Sequence, residues 1–368
     1  MKWQTKLKQN VTTVDELKKY IKLNKKEERL LRDVVKIHPM SISRHYLSLI
    51  NRNDRNDPIR KMIVPSIQEL DMSGTYDTSG EAKSTKAHGL QHKYKETVVL
   101  LSTNRCAAYC RFCFRKRLVG LPNEEILRRF NDAIPYIRKH KEITNVLITG
   151  GDPFVLPTEV IGTFLEKLST IKHLQFIRFG SRIPVTFPDR LIDDKSLPAL
   201  LKKHSRKDRR VYVVTHFNHP VALNPKAIDG IDTLINANVI VNNQTVLMKG
   251  VNDNPDTLAD LMTKLVSTGV NPYYVFQCRP VKRVKTHFQV SLARGYRIVE
   301  NAKKQLDGHS KRFKYCMSHD SGKVEIVGVK DDRIYLKYNQ ARYAKDRSRF
   351  FVKKLTKNAA WVDDLEDE

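Results

Sequence analysis

From residue 96 onward the chain alternates between two textures. Short apolar or β-branched runs occur at 96–103 (ETVVLLST), 144–151 (TNVLITGG), 175–181 (QFIRFGS), 209–217 (RRVYVVTHF), 239–248 (VIVNNQTVLM) and 271–278 (NPYYVFQC). Between them lie stretches with helical spacing of apolar residues, at 122–140, 157–171, 224–238 and 254–269. Near-continuous apolar strands separated by helices predict a parallel sheet covered by helices. Six such units fit either an open barrel or a doubly wound sheet, and periodicity does not choose between them. In both, functional groups gather at the C-terminal ends of the strands.

The first 95 residues have a different pattern. TTVDELKKYIKL (12–23) carries a helix start signal, and SRHYLSLINRNDRNDPIRKMIVP (43–65) breaks at Asn-Asp-Pro. Residues 73–93, rich in Gly, Ser, Thr and Lys, read as a long loop or linker. The expected organisation is a helical N-terminal region (1–95), an α/β core (96–308) and a C-terminal extension (309–368).

Composition narrows the class. No window approaches a membrane-spanning length of apolar residues, and the basic N-terminus has no apolar signal core. The chain is therefore expected to be cytoplasmic. Five cysteines in 368 residues are too few for a disulfide scaffold. The net charge of +27 admits a nucleic-acid or acidic-protein partner. No nucleic-acid recognition motif accompanies it, so scattered solvated faces are the simpler reading.

Three of the five cysteines fall in CAAYCRFC: Cys106, Cys110 and Cys113. A closed zinc site or a fully ligated [4Fe–4S] cluster takes four protein ligands. Three thiolates in one loop leave the fourth iron of a cubane open to a small molecule. The alternatives are zinc with a fourth ligand from Cys278, Cys316 or a His, and cysteines that merely share a loop. ITGGDP follows the second strand, and its paired glycines permit close approach of a ligand to the backbone.

The C-x3-C-x2-C spacing after the first strand resembles the radical S-adenosylmethionine (SAM) superfamily. CRFCFRKR, ITGGDP, IRFGSRIPVTFPDR, VTHFNHP and NQTVLMKGVND, in that order, resemble its lysine 2,3-aminomutase family, from near residue 3 to about 330. The resemblance implies a partial (β/α)6 TIM-like barrel, a [4Fe–4S] cluster on Cys106, Cys110 and Cys113, and SAM contacts from Gly150, Gly151, Asp152, His216 and Gln244. It further implies pyridoxal phosphate held as an imine by Lys323, in SHDSGKVEIVG, and a substrate carboxylate held by Arg115. It also implies a small amino-acid substrate and an electron donor such as flavodoxin or ferredoxin.

The chain departs from the family at three places. Where the family binds the distal ammonium of lysine with two aspartates, this chain has Arg279 and Cys316. Free lysine is then a poor fit, and Arg279 favours an acidic side chain such as glutamate. Thr97 stands where the family has a phosphate-binding arginine; Tyr94 is kept, and Lys95 is the expected substitute cation. No cysteine lies beyond Cys316, so the family's zinc-built tail, and a homo-oligomer depending on it, lose their basis. Two other activities fit the sequence: the same chemistry on a lysine of a protein partner, as in relatives that modify elongation factor P, and a pyridoxal-free radical enzyme acting on nucleic acid.

Overall fold

The computed structural model describes residues 2–122, 126 and 130–368. All six apolar runs form strands: β3 (Thr97–Thr103), β4 (Asn145–Gly150), β5 (Phe176–Gly180), β6 (Arg210–Thr215), β7 (Ile240–Leu247) and β8 (Asn271–Gln277). Each is parallel to the next. They belong to one twelve-stranded sheet whose spatial order follows the chain without reversal. A doubly wound sheet reverses direction at a switch point, so the topology is that of a barrel. It is an open one, because β3 and β8 do not pair and further strands continue on both sides.

The helices start where the sequence says. Asn224 and Asn254 cap the helices Pro225–Asn236 and Pro255–Ser267, each accepting backbone N–H bonds, with proline in the first turn. A third helix spans Thr158–Ser169. Of the run 122–140, residues 123–125 and 127–129 lie outside the described residues, and the helix described is Ala133–Lys139. The outward faces of the strands (Val98, Leu100, Val146, Ile148, Ile177, Phe179, Val211, Val213) are fully buried. The inward faces carry Thr97, Thr149, Arg178 and Gln244 and line a cavity.

Two regions differ from expectation. Residues 73–93 are not a linker. They include a short helix, Glu81–Ser84, then β1 (Thr85–Ala87) and β2 (Leu90–Tyr94), which runs antiparallel beside β3. The preceding segment is pinned across the barrel, with Thr75 N donating to Pro280 O and Lys282 N donating to Thr75 O. The C-terminal extension continues the sheet. β9 (Lys314–His319) pairs parallel to β8, and β10 (Gly322–Lys330), β11 (Arg333–Ala341) and β12 (Phe350–Lys354) follow as an antiparallel meander. The helix expected within residues 12–23 is also shorter than its start signal suggests, Val14–Leu17, opened by a capping box between Thr13 and Glu16.

The N-terminal region grips the cysteine loop. Asn10 Nδ2 donates to Ala107 O (2.7 Å), Tyr109 N to Ser41 O (2.9 Å) and Arg111 N to Met62 O (2.8 Å). Beneath the loop, the fully buried Glu69 carboxylate takes the Arg111 guanidinium (2.5 Å) and the Lys116 ammonium (2.6 Å). Burial alone would raise the Glu69 pKa, but the two cations outweigh it and hold it at about 2.

Removing one partner from a buried ion cluster costs about 3–5 kcal/mol. Glu69→Ala should therefore lower unfolding stability by about that amount in a denaturant titration. Because the folded pKa is depressed, the stabilisation is complete above the ordinary Glu value and lost as pH falls toward 2. The acid-side stability loss between about pH 4.5 and 2 should be correspondingly shallower in Glu69→Gln.

Candidate active site

One cavity of about 330 Å³ collects every predicted site residue: Cys106, Cys110 and Cys113; Arg115; Gly150, Gly151 and Asp152; His216, Gln244, Arg279 and Lys323. It runs from the loops at the C-terminal ends of the strands into the barrel interior.

At the loop end the three cysteines, each half-buried, lie within one loop. Burial and mutual repulsion push Cys106 well above the ordinary thiol range and Cys113 to about 11. Cys106 and Cys113 ionise together only if a positively charged centre is bound, because a coordinated thiol gives up its proton. Among the described residues, no three His, Cys, Asp or Glu side chains converge tightly enough to share one metal ion. In a cubane each thiolate takes a different iron, so the donor set fits an iron–sulfur cluster better than mononuclear zinc.

The neighbouring groups are tightly organised. Arg182, just past β5, contacts the Cys110 thiol, donates from Nε to His216 O (3.2 Å) and lies over the Phe112 ring (5.2 Å). Asp152 accepts from Ser181 Oγ (2.7 Å), Phe154 N (3.1 Å) and Arg182 N (2.7 Å). Its carboxylate thus ties the ends of β4 and β5 together, and an incoming ammonium would share oxygens that already have donors. Burial raises the Asp152 pKa to about 6 against those hydrogen bonds. His216 is held neutral by burial and Arg182, its pKa lowered to about 3, and its ring meets Phe112 edge-on.

Arg115 is bound by a residue that sequence reading missed. Glu81, from the supposed linker, accepts from Arg115 Nε (3.0 Å) and pairs with Nη2 (2.9 Å), while its other oxygen takes Arg117 (2.8 Å). Arg115 Nη1 keeps only long contacts to Thr149 Oγ1 (3.3 Å) and Gly150 O (3.4 Å). The Phe114 ring carries Arg115 at 4.7 Å and Arg279 at 4.3 Å. Arg279 does point into the cavity. Its Nη2 donates to Ser318 Oγ (2.8 Å), and its Nη1 is buried with no acceptor. Cys316, by contrast, is fully buried and does not line the cavity.

The C-terminal meander supplies the opposite wall. Lys323 of β10 pairs in register with Ser318 of β9 and Gln340 of β11, and all three side chains line the cavity. Lys323 Nζ sits 4.8 Å from the Tyr274 ring centroid and 5.9 Å from that of Tyr94. Desolvation, reinforced by the charges of Arg178 and Arg279, lowers its pKa to about 7. A desolvated lysine near neutrality is a nucleophile, so Lys323 suits a carbonyl cofactor. Lys95 does not take the role expected of it: it is exposed and outside the cavity. Lys93 lines the cavity instead, but its Nζ is spent on Ser79 O (3.0 Å) and His319 O (2.6 Å). Arg178 was also missed. Its signal was present as a charged residue within an otherwise apolar strand.

Gly150 and Gly151 are sterically required. Gly150 has φ +118°, and a Cβ on Gly151 would lie 2.2 Å from Arg105 O. That contact is with backbone and cannot be relieved by a side-chain rotation. Gly151→Ala should displace the loop beside Cys106, so iron and sulfide bound after anaerobic reconstitution should fall to about half or less, as measured by metal and sulfide analysis.

Comparison with known proteins agrees with this arrangement. Residues 100–262 match the Radical SAM superfamily, for which a [4Fe–4S] cluster and SAM are the implied cofactors. The chain is 38% identical over 350 residues to a putative L-lysine 2,3-aminomutase of Aquifex aeolicus, covering 95% of this chain and 93% of that one. It is 36% identical to the L-lysine 2,3-aminomutase of Clostridium subterminale over 83% of this chain and 73% of that protein. It is also 36% identical to the glutamate 2,3-aminomutase of Clostridioides difficile, over 81% and 69%. With this identity along nearly its whole length, and with the three cysteines, the glycine pair and Lys323 lining one cavity, the chain belongs to the lysine 2,3-aminomutase family of radical SAM enzymes.

Proposed function

We propose that this protein is a pyridoxal phosphate-dependent 2,3-aminomutase whose substrate is an amino acid with an acidic side chain, glutamate being the first to test. The observation that carries the substrate assignment is Arg279: a guanidinium in the cavity whose Nη1 is buried and has no acceptor among the described residues. An orphaned buried donor of this kind is costly unless a ligand supplies the acceptor. The ammonium of lysine would meet a like charge there.

When bound, the cluster and SAM supply a carbon-centred radical, and pyridoxal phosphate supplies the carbonyl that holds the migrating nitrogen. The residues of this chain bind and orient. Glu81 fixes Arg115 by two of its three nitrogens, so Nη1 is the group turned to an α-carboxylate. Phe114 keeps the two guanidinia on one ring, which suits a substrate bearing a carboxylate at each end. Charge-assisted hydrogen bonds from arginine are well suited to that recognition. Lys323 in its neutral form presents a free amine to the carbonyl.

Two measurements test this reading. Borohydride reduction of anaerobically reconstituted protein in the presence of pyridoxal phosphate should label Lys323, located by peptide mapping. With a folded pKa of about 7, labelling should rise through neutrality and flatten above about pH 8, whereas an ordinary lysine would continue to gain to beyond pH 10. Label on another residue, or none, overturns the cofactor assignment. Separately, glutamate should be turned over in preference to lysine. Arg279→Asp should reduce the ratio of kcat/KM for glutamate to that for lysine by about 100-fold or more. A wild-type preference for lysine would reject the substrate assignment.

A further inference from the structure

The cavity contains a second cation whose donors are unspent, and neither the substrate nor the cluster end uses it. Arg178, mid-strand on β5, points inward beside Lys323. Its Nη2 donates to Asn145 Oδ1 (2.6 Å), and its Nε is buried with no acceptor. Nη1 likewise makes no hydrogen bond among the described residues. The Asn145 amide is fixed the right way round, because its Nδ2 donates to Glu96 O (3.0 Å) and its Oδ1 also accepts from Thr97 Oγ1 (3.1 Å). Thr97, Asn145 and Arg178 thus form one connected group on three adjacent strands at the wall near Lys323.

The charge around this group is uncompensated. Arg178 is the largest charged influence opposing protonation of Lys323, and the groups favouring the charged form of Arg178 itself include the Asn145 carbonyl and the tyrosines Tyr273 and Tyr274, none of them a carboxylate. Two cations therefore face the same space with no carboxylate between them. Other cations of the cavity are committed elsewhere. Lys93 is held by two carbonyls and Arg182 by the Cys110 thiol and His216 O, while Arg115 and Arg279 are assigned above to the carboxylates of the substrate. A phosphate monoester carries a charge of about −1.5 to −2 near neutrality and presents three acceptor oxygens.

We propose that Arg178 is the anchor for the phosphate end of the cofactor, so that the guanidinium missing from position 97 of β3 is supplied from β5. This rests on the pyridoxal phosphate reading above and names the residue that would make that cofactor preferred over its unphosphorylated form.

The test compares two aldehydes on anaerobically purified, cluster-loaded protein: pyridoxal phosphate and pyridoxal. Binding is followed by the visible absorbance that each develops at Lys323. Arg178→Gln should weaken pyridoxal phosphate by about 30- to 100-fold, the range expected for loss of charge-assisted hydrogen bonds. Pyridoxal should bind the variant within about twofold of wild type. In the unsubstituted protein, inorganic phosphate should compete with pyridoxal phosphate and leave pyridoxal binding unaffected, a result that does not depend on any variant folding. Unchanged pyridoxal phosphate affinity in Arg178→Gln, an equal loss for both aldehydes in a variant of unaltered melting temperature and iron content, or no competition by phosphate would each overturn the assignment. If wild type binds neither aldehyde, the cofactor reading itself fails and takes this assignment with it.

Discussion

Lys93, Arg115, Arg178, Arg182, Arg279 and Lys323 face one cavity that holds only two carboxylates among its lining residues, Glu81 and Asp152. Each of those cations has lost hydration, and desolvation is the leading effect depressing Lys93 and Lys323 to about 7 and Arg279 to about 10. Such a cavity is costly to form and is tolerated because the surrounding scaffold is rigid. The same cost is what makes it selective, since anionic groups recover in binding what folding gave up. A carboxylate at Arg279, a carboxylate at Arg115 and a phosphate at Arg178 would each satisfy donors that the protein leaves short.

The rigidity comes from outside the barrel as much as from it. Glu69, Asn10 and the backbone near Pro39 to Met62 hold the cysteine loop from below through buried ion pairs and hydrogen bonds. The strap ending in Glu81 crosses the mouth from the other side and fixes Arg115 and Arg117. Gly80, at φ +64°, lets this strap turn into the short helix that carries Glu81, with Asp320 of the β9–β10 turn packed where a side chain would otherwise sit. Lys93 joins the strap to that same turn through Ser79 O and His319 O. The N-terminal region, the barrel and the C-terminal meander therefore build the cavity together, and none of the three contains it alone.

The fold brings two structural units to one cavity. The loops after β3, β4, β5 and β6 present the cysteines, the glycine pair, Arg182 and His216 at the strand ends, where a parallel barrel collects functional groups. The meander β9–β11 presents Ser318, Lys323 and Gln340 in lateral register on the opposite wall. The wall that carries the cysteines and the wall that carries Lys323 thus belong to different structural units that face one cavity.

The six parallel strands were legible in the sequence because strands buried on both faces must be apolar almost throughout. Cys106, Cys110, Cys113 and the glycines following β4 were legible because their spacing has few other uses. Lys323 was found only by its resemblance to a family motif, since one lysine among 67 basic residues has no local signal. Glu81 and Lys93 were unreadable for a related reason: they lie in a polar, glycine-containing stretch whose composition reads as linker, and only long-range pairing with β3, Pro280 and the β9–β10 turn gives it structure. Sequence by itself determined which chemistry the chain carries, because thiol spacing and strand periodicity are local properties. Tertiary structure alone decided which cations are left with unspent donors, because that depends on where acceptors distant in the chain come to rest.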